Sequence, residues 1–440
     1  MLPNEMHAIS SFALDGPGLA KKVSIGSAQI QIIKHPASYN ANRPFYDAIQ
    51  NALDFKRPAL KTGAARPLLF FGNFFLEEEL RRAFFKSGAD PVLFSYNNAG
   101  AAIESELSRV IQINRPDFIL SVNMKGFDGQ GMVSACAARF GIPVVVWFVD
   151  DPHPIVVPLR DSATSDMIAF SWERSYLPWL QTRGFHTCAY LPLAGDPSLF
   201  PAGESRHAHD LAFVGSSMGR ATLAGIAARF LWSPSLEPIA TRAADRLLTS
   251  PSASVMPAIR EACRETGKTI PFTDDMNLTW LCAYVIHTAS MIRRREIVGA
   301  CVPMGIHLFG DHEGWRDLAG PSAITHNAVD YRRELAAVYR SAAVNINVTS
   351  CQMRTAVNQR VFDVPLSNGF VLSDNQHDLS ELFRPDEIAT YDSKESLVDK
   401  IRYFQKHESE RSAISHKART RILAEHTYEN RISSIKKIIC

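Results

Sequence analysis

From Arg66 onward, short apolar runs alternate with stretches whose apolar residues recur at helical spacing. RPLLFFGNFF reads as a buried strand ending at Gly72, and LEEELRRAFFKSG as an amphipathic helix stopped by glycine. ADPVLFSYN is a second strand. Strand, helix and strand fit within about 30 residues, the size of a parallel crossover unit. The pattern repeats: AAIESELSRVIQINRPD as a helix closed by Pro116, FILSVNM as a strand, GQGMVSACAARFG as a helix, IPVVVWFVDD and DMIAFSW as strands, RSYLPWLQTRGF as a helix. Residues 1–66 read less clearly, with SAQIQIIKH as a strand and FYDAIQNALDF as a short amphipathic helix.

PAGESRHAHD (201–210) is polar and turn-rich and reads as a linker. Beyond it LAFVGSSMGR is a strand, a glycine turn and a helix start. The stretch 221–300 is mostly helical. Alternation then resumes with GIHLFGD, VNINVT, GFVLSD and EIATY as strands and YRRELAAVYRSA, VNQRVFDVPLSN, LSELF and SLVDKIRYFQKH as helices. Two helices, 408–424 and 428–439, close the chain. This order predicts two α/β domains, 1–200 and 201–440. Each is a doubly wound sheet, the second carries a helical insertion near 221–300, and the closing helices are free to pack back on the first domain.

Length and composition agree. A chain of 440 residues exceeds one ordinary core, and 46% apolar with 21% charged residues is a globular balance. A net charge of +2 offers no bulk attraction for nucleic acid. Seven scattered cysteines without a CxxC pair argue against a disulfide framework or zinc site and fit a reducing compartment. MLPNEMHAISSFALDG lacks a basic start and a long apolar core, and no apolar run reaches the roughly 20 residues of a membrane span. A cytoplasmic location is expected.

Ligands of open α/β sheets bind beyond the carboxyl ends of the strands, so the polar residues there are the candidates. FVGSSMGR places Gly215, Ser216 and Ser217 between strand and helix, where small residues and backbone N–H groups admit a phosphate; Arg220 adds a fixed charge. Steric demands of a tight turn explain the same glycine and serines. LFGDHEGW, with Gly310, reads as a strand and a polar turn able to meet a base or ribose, or as a plain turn. In VNQRVFDVPLSNGFVLSDN, Asn358, Gln359 and Arg360 fall near the start of a helix and Asp363 one turn on. Facing a cleft, Arg360 would meet a diphosphate and Asp363 two ribose hydroxyls. An Arg–Asp pair within the helix, worth a few tenths of a kcal/mol, is the alternative. Pro365 implies a helix that is kinked or begins late.

VNQRVFDVPLSNGFVLSDNQHDLSELF, the helix SLVDKIRYFQKH and the terminal HTYENR resemble the C-terminal domain of the CgeB-type, spore-maturation-like glycosyltransferases, whose pattern is roughly N-x-R-x-F-[ED]-x-x-[AL]-x-x-G. WFVDDPHP, LPLAGDPSLF and DLAFVGS are similar to segments of its N-domain, interdomain connection and first C-domain strand. The resemblance implies a GT-B fold, two Rossmann-like domains facing across a cleft, with metal-independent transfer of a sugar. It implies a UDP-, GDP- or dTDP-linked donor on the C-domain, a protein, polysaccharide or small-molecule acceptor on the N-domain, and no cofactor. It places the donor ribose at Asp363. Many retaining relatives carry an acid eight positions earlier, where this chain has Thr355.

Transfer requires charge stabilisation on the leaving diphosphate, a base for the acceptor and orientation of the sugar. Arg220, Arg354 and Arg360 are candidates for the first task. For the base, Asp150 and Asp151 follow an apolar strand, and their proximity raises the pKa of one of them; His153 is a third choice. Asp in such a turn equally serves to hold backbone N–H groups. No metal set emerges: Asp274–Asp275 lacks ligand spacing, and His307, His312 and His377 read as ordinary turn or strand histidines. Two rivals remain. A non-catalytic protein of the same fold would bind without turnover. A nicotinamide-dependent oxidoreductase would need a GxGxxG, and the first crossover has only Gly72.

Overall fold

The computed structural model describes residues 20–25, 28–33, 65–97, 103–164, 166–204, 207–250 and 254–439. A short antiparallel ribbon pairs β1 (Ala20–Ile25) with β2 (Ala28–Ile33). The expected helix FYDAIQNALDF lies outside the described residues. Two six-stranded sheets, each wholly parallel, follow.

The first holds β3 (Pro67–Phe71), β4 (Val92–Ser95), β5 (Phe118–Val122), β6 (Val144–Phe148), β7 (Met167–Ser171) and β8 (Thr187–Tyr190), in the order β4-β3-β5-β6-β7-β8. β6 is a continuous apolar run and β5 is one broken only by Ser121; both are buried at every residue, as strands covered on both faces must be. The second holds β9 (His209–Val214), β10 (His307–Phe309), β11 (Ile324–His326), β12 (Ala342–Asn347), β13 (Val371–Asp374) and β14 (Ala389–Tyr391), in the order β11-β10-β9-β12-β13-β14. In each sheet the order reverses beside the first strand, giving a switch point at β3/β5 and another at β9/β12. This is the GT-B arrangement of two Rossmann-like sheets.

Helices Arg220–Ala227, Glu237–Thr249, Val255–Thr266 and Asp275–Cys301 separate β9 from β10, and the first three pack with the start of the fourth in a core of their own. The 27-residue helix Asp275–Cys301 then runs on to the second sheet, its last turns packing beneath β9 and β10. Its N-cap is Asp274, which accepts the N–H of Asn277 at 3.0 Å.

The closing helices join the two lobes. Tyr428–Ile439 lies on Glu77–Lys86 of the first lobe, with the Tyr428 ring 6.2 Å from that of Trp147. Arg431 donates to the carbonyls of Pro192 and Leu193, both at 2.8 Å, and His426 Nε2 reaches the Leu382 carbonyl at 2.7 Å. The HTYENR motif is therefore a tie between lobes. Gly195 is needed where the interlobe segment passes the helix Arg360–Leu366, since a Cβ there would strike Leu366. One apolar core runs from Leu69, Phe118 and Trp147 of the first lobe to Val361, Phe362 and Leu366 of the second.

Two short edge strands, β8 and β11, have no counterpart in the hydrophobic pattern. HEGW, read as a polar turn, opens the helix His312–Ala319. It buries only Trp315, too few apolar contacts to give helical periodicity.

Candidate functional site

A cavity of about 1010 Å³ opens between the lobes at the carboxyl ends of both sheets. Its first-lobe wall follows β6 and β7 and includes Asp151, His153, Tyr176 and Trp179. Its second-lobe wall follows β12 to β14 and includes Arg354, Asp374 and Gln376, and the insertion adds Met256 and Cys282.

Among the expected catalytic residues, Asp151 and His153 form a pair. His153 Nδ1 lies 2.6 Å from Asp151 Oδ1, and the same oxygen accepts the His153 N–H at 3.0 Å. An ionised carboxylate accepts, so Nδ1 carries the proton and Nε2 is left as a base. The imidazole lies against Trp179, ring centroids 3.9 Å apart, and meets Tyr176 edge-on at 5.7 Å. Asp150 turns the other way. It accepts from Asn123 Nδ2 at 2.8 Å. The residue is exposed, yet the protein atoms crowded around its carboxyl push it up to about 6; the Asn123 hydrogen bond opposes this and the neighbouring Asp151 charge adds to it. It stands outside the cavity lining.

The expected donor residues divide. Gly215, Ser217, Gly310, Asn358 and Arg360 converge on the end of β9. Arg360 Nε donates to the Val214 carbonyl and Nη1 to Asn347 Oδ1 at 2.9 Å. Asn358 donates to the same Asn347 oxygen at 2.7 Å. Gly215 has φ +153°, a conformation other residues rarely adopt, and Gly310 is required because a Cβ would strike the Gly215 carbonyl. Ser217 donates through N and Oγ to Asp311. Ser216 is exposed, its Oγ accepting from Met218 N–H at 3.0 Å. Arg220 is exposed on the helix it begins.

Two expectations need correction. Arg360 and Asp363 do not jointly line the open cavity, and they form neither a cleft-facing pair nor an ion pair. Asp363 is 1% exposed. Gln359 Nε2 donates to one oxygen at 2.8 Å and Tyr331 OH lies 3.4 Å from the other. Burial raises its carboxyl well above the usual range. The reason is local. The helix begins late, at Arg360, and spans seven residues with Pro365 inside; from Val361 to Leu366 every residue is buried between the lobes and the helix Glu408–Glu425. It leaves no face for a ribose at Asp363 and is too short for a sizeable dipole.

Residue patterns gave no hint of Glu173, a fully buried carboxylate in the loop after β7. Its Oε2 crosses to the second lobe and accepts three successive N–H groups, of Arg354 (2.8 Å), Thr355 (2.9 Å) and Ala356 (3.0 Å). Its Oε1 takes Ser175 N–H and Thr355 Oγ1. Burial alone would raise its carboxyl, but these donors outweigh burial and hold it below its ordinary value. Among the described residues one group, His377, Asp378 and Glu381, brings three metal-ligating atoms within 4.8 Å of one another. Its charge is already engaged, since Tyr190 OH donates to Asp378 at 2.6 Å and Arg174 pairs with Glu381.

Residues 289–437 match the family model described as glycosyl transferase-like. The paired Rossmann-like sheets and this match define the class: a glycosyltransferase of GT-B architecture. No curated protein matches the chain. Among solved structures, a glycosyltransferase from Rickettsia africae ESF-5 is similar at 9% identity and a TM-score of 0.45, over 86% of this chain and 98% of that one. Sucrose-phosphate synthase from Thermosynechococcus elongatus is similar at 9% and 0.48, over 85% and 98%. T4 phage BGT in complex with UDP-glucose is similar at 10% and 0.47, over 85% and 99%. These low values add nothing to the site; the fold stands on the strand order. Among the described residues no helix is long and apolar enough to cross a membrane.

Proposed function

We propose that this glycosyltransferase moves a sugar from a nucleotide-diphosphate donor to an acceptor hydroxyl by direct displacement, with His153 as the base. The acceptor O–H gives its proton to His153 Nε2 as the oxygen bonds to the anomeric carbon. The bond from that carbon to the phosphate oxygen breaks, and its electron pair leaves with the diphosphate. Asp151 orients the ring and stabilises the imidazolium that forms. The likeness of the C-terminal motifs to the CgeB-type enzymes supports the same reading at finer grain.

The observation that carries this reading is the Asp151–His153 pair on the wall of the interlobe cavity. A buried histidine held by a carboxylate can be purely structural. Here Nδ1 alone is committed, and the side chain remains 31% exposed in a cavity large enough for a nucleotide-sugar.

The test is a panel of UDP-, GDP- and dTDP-sugars. At least one raises the melting temperature by binding the native state and is slowly hydrolysed. His153→Ala keeps the thermal shift and lowers turnover by about 10²–10⁴-fold. A panel without any shift or hydrolysis contradicts the reading, as does full turnover by the His153→Ala variant.

A further inference from the structure

The cavity between the lobes changes character from one wall to the other. On the insertion side its lining is largely apolar. Leu278, Cys282 and Ile286 line it from the helix Asp275–Cys301, four residues apart and so on one face of that helix. Leu247 and Leu248 extend this wall from the end of the helix Glu237–Thr249, and Met256 extends it from the first turn of the helix Val255–Thr266. Ile286 is buried; the others are half-buried and still offer surface. On the second-lobe side Asp374, Gln376, Asp392 and Lys394 present polar groups, while the apolar members of that wall, Val348, Met353 and Tyr391, are buried.

The apolar face stands beside the Asp151–His153 pair. The helix His153–Val156 packs on the helix Asp275–Cys301, and the Asp151 charge is felt at Cys282 and at His287. The protein atoms around Cys282, with that charge adding to them, raise its thiol, which therefore stays a neutral, soft surface. Arg183 ties the first lobe to the insertion: it lies over the Trp179 ring, 5.1 Å from the centroid, and pairs with Asp275 at 3.1 Å. The polar groups of the insertion wall are thus largely taken. Asp275 is paired, Ser254 Oγ lies 3.5 Å from Arg354 Nη1, and Thr279 is buried. The Trp179 ring already carries His153 and Arg183. Sugar hydroxyls laid on Leu278 and Cys282 would lose water without gaining partners. An apolar body gains by the same move.

We infer that the acceptor is a small molecule whose hydroxyl is borne on an apolar body, aromatic or aliphatic, seated on the Leu278–Cys282 face with its oxygen at His153 Nε2. This rests on the glycosyl-transfer reading above, which makes that hydroxyl an acceptor. The helical insertion is then the element that selects it.

Two probes test the site without a donor: umbelliferone, followed by its fluorescence, and n-octanol, followed by calorimetry. At least one binds wild-type protein; maltotriose and a serine-containing peptide do not. Leu278→Asp, folded by its melting curve, binds that probe roughly 10–100-fold more weakly, the loss expected when a buried apolar contact is replaced by a charge. Met256→Asp, on a separate helix, shows the same loss and carries the test if the first variant does not fold. Binding of neither probe, or equal affinity in wild type and folded variants, overturns the inference. If a donor is turned over and its sugar passes to maltotriose or the peptide in preference to the probes, the acceptor class fails while the glycosyltransferase reading survives. If a probe binds and its binding is lost in Leu278→Asp, but no donor is ever turned over, the apolar site stands and that reading fails.

Discussion

His153 and Asp151 are two positions apart in sequence, yet only one of the neighbouring aspartates can serve the histidine. Asp150 is drawn toward Asn123 of the adjacent loop, and Asp151 is left to hold Nδ1. Asp151→Asn keeps the ring in place but removes the charge that stabilises an imidazolium. The variant should fold and bind donor normally, and kcat should fall by about 10²–10⁴-fold. Because the pair acts as a unit, Asp151→Asn with His153→Ala should be no slower than His153→Ala alone. Additive losses in this cycle would separate the two residues. WFVDDPHP made all three side chains candidates, since polar residues after a buried strand must lie at the strand end. Which aspartate faces the histidine was not legible, because Asn123 arrives from a different strand.

At the level of elements, the buried strands and most helices followed from periodicity. The edge strands and the helix His312–Ala319 did not, as few side chains there are buried. The helix Arg360–Leu366 shows how a correct element can carry a wrong inference. Its existence was legible, but its orientation depends on Leu366, Phe362 and Val361 filling a core shared with the other lobe, which turns Asp363 inward. The loop before it is held by Glu173. Glu173→Gln retains one acceptor but loses the charge and brings N–H groups against N–H groups. A loss of about 2–3 kcal/mol is expected at pH 7, measured by urea unfolding. The pH dependence has a definite sign. The folded carboxyl titrates below its ordinary value. Its stabilisation is therefore complete above the unfolded pKa of about 4.3 and fades as pH falls through the folded value. The gap between wild type and variant should be constant from pH 7 to about 5 and narrow below. A gap unchanged down to pH 3 would show that the charge is not what holds the loop.

The whole molecule is two parallel sheets locked by a shared apolar core and by helices that return from the second lobe to the first. This places the strand ends of both sheets around one cavity, and the functional argument depends on that placement. The domain pattern foreshadowed the cleft. Its walls did not follow from the pattern, since three lengths of chain far apart in sequence build them. The most direct measurement is a crystal structure with the nucleotide-sugar that most raises the melting temperature. The account predicts the sugar in the interlobe cavity with its anomeric carbon on the side of His153 Nε2, leaving room there for one acceptor hydroxyl. A nucleotide-sugar seated outside this cavity, or an anomeric carbon turned away from His153, would contradict it.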